Sequence, residues 1–139
     1  MSTATLPTKP IVNWEQVRDD WVAAVEQLAR DAETWSEKQG WGVLREPKRI
    51  DEDGIGEYEV PQLLIHTRAG RVIFDPSARF AGFGGVVDMS RYPSYETWYI
   101  PRTESGWMLH PNIKDGIEVP WTEENFVTFV RQLLASPNW

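Results

Sequence analysis

The chain has 139 residues, 14 basic against 21 acidic side chains for a net charge of −7, and 41% hydrophobic residues that include eight tryptophans and no cysteine. That length suits one domain whose core needs no metal or disulfide staple, and the missing cysteines exclude thiol catalysis, disulfides and cysteine-ligated zinc. The acidic balance argues against duplex nucleic acid as the main partner, since displacing phosphate counterions takes a cluster of cations, and suits either a solubilising surface or a basic protein partner.

Residues 1–11 lack the apolar run of a signal peptide and read as a flexible arm ahead of a single domain over 12–139. No segment is long enough to cross a bilayer, so the expectation is a cytoplasmic protein.

Trp14, Trp21, Leu28 and Trp35 recur every seven residues, and Val17, Ala24, Val25 and Ala32 complete an apolar stripe roughly 100° wide on a helix. Asn13 supplies the N-cap, and Gly40 sits where a left-handed C-cap belongs. These signals predict a helix over 14–39. The stripe is wider than a strict coiled-coil seam, so it is assigned to packing on the protein's own sheet.

The period then changes from 3.6 to 2, and strands are expected over 42–48, 57–67, 71–76, 85–89, 95–102 and 107–111. Between the first two, Asp51 to Glu57 alternates carboxylates with glycine, but Ile55 offers no oxygen at the fifth position of a calcium hand and Gln62 no bidentate carboxylate at the twelfth. No metal and no cofactor are expected. Arg68-Ala69-Gly70 and Glu104-Ser105-Gly106 read as three-residue hairpin loops with glycine in the left-handed position. The first loop puts Leu64, His66, Val72 and Phe74 on one face and makes His66 a core histidine; a one-residue slip reverses that assignment. The second puts Ile100 near His110. Residues 81–85, rich in glycine, form a connection, and Arg91-Tyr92-Pro93-Ser94-Tyr95 an exposed turn. At the end of the chain Thr122 caps a second helix over 122–135 with an apolar face of Phe126, Val127, Phe129, Val130, Leu133 and Leu134. Together these elements predict an α+β fold: a long N-terminal helix packed on an antiparallel meander of five to six strands, with a C-terminal helix beside it.

The residues that carry chemistry are sparse. There is no Gly-x-Ser-x-Gly, Walker loop or His-Glu-x-x-His. Only His66 and His110 offer imidazole bases, and the arrangement Ser77, Asp75 and His66 is better read as an Asx turn beside a structural histidine. Glu57, Glu59, Asp75, Asp88 and Glu96 supply carboxylates, with no spacing that selects a pair.

What remains is a run of residue types that favour interface hot spots: Arg79, Phe83, Arg91, Tyr92, Tyr95, Tyr99 and Arg102. The expectation is a non-catalytic accessory protein, with an inhibitor, immunity-type or adaptor role, that binds another protein through this Arg/aromatic surface of the sheet; self-association is left open. The alternative is a small-ligand binder or hydrolase using His66 or Asp75 in a cleft between the sheet and the long helix. Stacking of single-stranded nucleic acid on the aromatics ranks third, because it needs a basic groove beside them.

Overall fold

The computed structural model describes residues 12–78 and 84–137. Helix α1 (Trp14–Lys38) is followed by strands β1 (Gly42–Glu52), β2 (Gly56–Thr67), β3 (Gly70–Ala78), β4 (Val86–Tyr92), β5 (Thr97–Thr103), β6 (Gly106–Leu109) and β7 (Val119–Pro120), and then by helix α2 (Glu123–Ala135). The strands form one antiparallel sheet in strict chain order. The fold is therefore the expected α+β meander between two helices, with seven strands rather than five to six. The extra strand is the two-residue β7, paired to β6 through Met108↔Pro120 and Leu109↔Val119. A strand so short, half of it proline, has no alternation to read.

Both helices begin as their caps dictate. Asn13 Oδ1 accepts the Gln16 amide at 3.1 Å and Thr122 Oγ1 accepts the Asn125 amide at 3.2 Å, each satisfying one of the otherwise orphaned first-turn donors. Gly40 takes φ +78° after α1. The face α1 buries is made by Trp21, Val25, Leu28, Ala29, Ala32 and Ser36, while Trp14 lies at the margin near Gly54. Trp21 packs on Trp107, and Trp35 on Trp121 and Phe126, with centroids 5.8, 5.0 and 5.7 Å apart. Trp98 meets Phe129 of α2 edge-on at 5.3 Å. The buried indole N–H groups find acceptors: Trp21 donates to the Tyr58 hydroxyl, Trp98 to Glu96 and Trp121 to Asp31, which removes the cost of hiding an unpaired donor.

The two hairpin loops differ from expectation in the same way. In each, a Thr and a Gly pair directly, Thr67↔Gly70 and Thr103↔Gly106, leaving a two-residue loop. The threonine hydroxyl donates to the glycine carbonyl (3.0 and 2.9 Å) and accepts the amide of the second loop residue (3.1 and 3.2 Å). This local side-chain bonding pins the register one residue from that of a three-residue loop. Leu63 and Ile65 thus join Val72 and Phe74 in the core, and His66 turns out to solvent beside Arg71. In the second hairpin His110 faces Tyr99 instead of Ile100.

The β1–β2 hairpin has a further irregularity. Pro47 stands opposite Pro61, where neither residue can donate to the ladder, and the buried set changes phase across this pair, from Leu63 and Ile65 on one side to Val60 and Tyr58 on the other. The hairpin tip thereby brings Ile50, Ile55 and Tyr58 into the core shared with Trp21.

Arg91 is the main correction. It belongs to β4, fully buried, on the same side as Val87 and Met89. Its Nη1 donates to the carbonyls of Leu133 (3.2 Å), Leu134 (3.4 Å) and Ser136 (2.6 Å), and its Nε to Ser94 Oγ at 2.9 Å. A cation at these last carbonyls offsets the negative end of α2 and satisfies acceptors that the helix cannot. The turn expected to expose Arg91 exposes only Tyr92, Pro93 and Tyr95. Replacing Arg91 by Met should therefore lower stability by about 2–4 kcal/mol, the range for buried acceptors left without donors, read as a drop in the urea midpoint at unchanged slope. Arg91→Lys should recover part of the loss, since an ammonium supplies charge without the guanidinium fork.

Candidate functional site

Alternation along the strands sends one set of side chains toward the helices and the other to a face that no described element covers. Pairing registers lay that face out as rows. One row runs Leu44↔Leu64↔Ile73↔Ser90↔Thr97 across β1 to β5. Beside it, Glu46↔Gln62 on β1 and β2 continue into Asp75↔Asp88↔Tyr99↔His110 on β3 to β6. On the other side stand Gly42↔His66↔Arg71↔Tyr92.

The central row begins with a patch of aliphatic side chains. Leu44 is 50% exposed, with Leu64 and Ile73 half-buried next to it. The Ser90 and Thr97 hydroxyls hydrogen-bond at 2.9 Å at its far end. Tyrosines frame the patch: Tyr99 is 40% and Tyr95 63% exposed. Tyr92 meets Tyr95 edge-on at 6.0 Å, and the Arg71 guanidinium lies 5.8 Å from the Tyr92 ring centre.

The polar row carries the carboxylate pair that the sequence did not single out. Asp75 and Asp88 face each other across β3 and β4. Asp75 is ion-paired to Lys48 and accepts from Gln62 at 3.4 Å. Burial pushes the Asp88 carboxyl above its ordinary 3.8 and the Asp75 charge adds to the rise, against a hydrogen bond from Ser77 and the charge of Lys48. Two carboxylates of which one holds its proton more tightly is the arrangement used for general acid and base work. Here, however, no imidazole stands beside them. His66 is paired with Arg71, four residues and about 13 Å along the strand from Asp75, so Ser77, Asp75 and His66 do not form a triad. His110 lies further along the row and contacts Glu118 at 3.2 Å. Among the described residues, no group of three His, Asp or Glu side chains is placed to hold a metal ion.

The residues singled out from sequence therefore divide. Tyr92, Tyr95 and Tyr99 are exposed. Arg91 lies in the core. Arg102 is on the helix side, ion-paired to Asp20 of α1 at 3.0 Å and 5.9 Å from the Trp107 ring centre. Arg79 and Phe83 fall outside the described residues. Leu44, Leu64 and Ile73 were missed as surface residues, and Asp88 was named only as one of five carboxylates. The available signal was the alternation of β1 and β2, in which Leu44 and Leu64 share parity with exposed Glu46 and His66.

No protein-family model matches the sequence, and no curated protein or solved structure matches it significantly. The site is thus read from its own chemistry.

The raised pKa of Asp88 has a measurable sign. Ionising it costs the native state, so its contribution is fully favourable below pH 3.8 and is lost as pH rises through the elevated folded value. Asp88→Asn is expected to raise the urea midpoint at neutral pH, and the gain over the unmodified protein should shrink as pH falls from the elevated folded value toward 3.8 and be gone below it. A gain independent of pH would show that repulsion and burial at Asp88 are not its source.

Proposed function

We propose that this protein is a non-catalytic binding domain, of inhibitor or adaptor type, that docks a basic protein on the uncovered face of its sheet. The observation that carries this reading is the exposed Leu44 with Leu64 and Ile73, an aliphatic patch on the open side of the seven-strand sheet, which also carries exposed tyrosines. Apolar side chains gathered on one open face, ringed by polar groups, mark an interaction surface rather than scattered exposure. Tyr92, Tyr95 and Tyr99 add rigid rings with a polar tip, the composition of binding hot spots.

Charge selects the kind of partner. Glu46, Asp75 and Asp88 stand in the row beside the patch, against Lys48 and Arg71, and Lys48 is committed to Asp75. The whole chain carries −7. A partner presenting Lys and Arg around an apolar centre would gain both steering and complementarity. The centre of the layer between α1 and the sheet, by contrast, is packed with Trp21, Val25, Leu28, Ala29 and Ala32.

The test is site-specific photo-crosslinking in the native cell, with the crosslinking residue at position 44 or 99 and a control at Ala23, exposed on the far side of α1. Positions 44 and 99 should capture the same protein, of net positive charge, and position 23 should not. Glu46→Lys should cut capture at position 99 by at least about fivefold, the scale of a complementary charge at an interface rim. Capture of an acidic protein, equal capture at position 23, or none at 44 and 99 would overturn the reading.

A further inference from the structure

At the end of the sheet, next to His66 at the margin of that face, the residues that follow α1, the last turn of α2 and the β2–β3 turn border a cleft of about 540 Å³. Its floor and wall are apolar, formed by Trp41 and Leu134. His66, Arg68 and Arg131 bring its nitrogen-bearing groups, and the lining contains no carboxylate. In a chain with 21 acidic and 14 basic side chains, this is a local inversion of charge.

The cleft is built rather than incidental. Arg131 Nη2 donates to Gln39 Oε1 at 3.1 Å, which holds its guanidinium at the mouth. The turn carrying Arg68 is fixed by Thr67, whose hydroxyl both donates to the Gly70 carbonyl and accepts the Ala69 amide. Gly70 has φ +146°, and a Cβ there would lie 3.1 Å from Leu134 Cδ2, so its lack of a side chain lets α2 close against the turn. Trp41 is half-buried and packs on the core, which presents its indole as a rigid wall.

Two helix C-termini border the cleft, and their negative ends would ordinarily repel an anion. Several of their carbonyls are already engaged within the fold. The carbonyls of Ser36 and Glu37 in α1 accept the amides of Gln39, Gly40 and Trp41, and those of Leu133, Leu134 and Ser136 accept from buried Arg91. The guanidinium groups of Arg68 and Arg131 meet no carboxylate within the lining.

We propose that this cleft binds a small organic carboxylate with a flat apolar body, the ring lying against Trp41 and Leu134 and the carboxylate meeting Arg68 and Arg131. A guanidinium fork matches a carboxylate in two parallel hydrogen bonds, and the volume lies within the range of small-ligand sites.

The probe set is 2-naphthoate, 2-naphthalenemethanol, acetate and inorganic phosphate, followed by NMR at the Trp41 indole N–H and the His66 ring of the whole chain. Naphthoate should shift both signals saturably. The alcohol, which has the ring without the charge, and acetate and phosphate, which have the charge without the ring, should bind at least about tenfold more weakly. Arg68→Gln combined with Arg131→Gln alters two exposed side chains and should weaken naphthoate at least tenfold while leaving the thermal midpoint nearly unchanged. Undiminished naphthoate binding by that variant, equal binding of the alcohol or of phosphate, or no saturable shift would overturn the proposal. Crosslinking at position 99 is unaffected by either substitution if the sheet face acts separately.

Discussion

Few side chains are as expensive to bury as a guanidinium, and Arg91 has none of its surface exposed. Such a group is tolerated only where every direction it points offers an acceptor. Arg91 meets this by standing on β4 beneath the last turn of α2, with carbonyls of Leu133, Leu134 and Ser136 on one side and the Ser94 hydroxyl on the other. The same residue's amide and carbonyl bond Glu96 and Tyr95, so one position joins a strand, the turn after it and a helix end. Moving α2 would strand the charge. The placement of α2 over β3 to β6 follows, and with it the division of the sheet into a covered and an open side.

That division sorts the aromatic residues. Trp21, Trp98, Phe74, Phe126 and Phe129 fill the layer between sheet and helices, where large rings supply the most buried area per side chain. Tyr92, Tyr95 and Tyr99 stand outside it. A tyrosine keeps its hydroxyl hydrated while offering an apolar face, so the open side can be adhesive without being insoluble. Opposite charges are also separated in space. Acidic groups border the aliphatic patch, whereas Arg68 and Arg131 flank the cleft at the end of the sheet, so one small domain presents two chemically distinct surfaces.

Much of the architecture was legible because its determinants are local. Asn13, Gly40 and Thr122 mark helix ends through bonds made within a few residues, and the change of period from 3.6 to 2 marks the passage to strands. The hairpin registers were misread by a single residue because glycine was given the left-handed loop position; the threonine hydroxyls that fix the turn were the decisive local signal. The consequence is large, since it moves His66 from core to solvent. Other features depend on distant partners. Arg91 shares its parity with Val87 and Met89, which points inward, but its carbonyl acceptors lie more than 40 residues further on, and an arginine among tyrosines reads as surface. Asp75 and Asp88 are joined only across β3 and β4, past a register shift between Pro76 and Ala78 and the undescribed residues 79–83. No spacing rule within a strand could have paired them.

The opposed prolines of the first hairpin bear on how this chain coexists with copies of itself. Among the described residues β1 pairs on one side only, so an edge of eleven residues faces outward, long enough to template growth of a foreign strand. Pro47 interrupts that edge near its middle, and Arg45, Lys48 and Arg49 crowd it with charge. What would be one continuous seam becomes two short ones, neither of which can recruit a full strand. A sheet with exposed aliphatic and tyrosine side chains on one face is thereby hindered from pairing strand to strand along its rim.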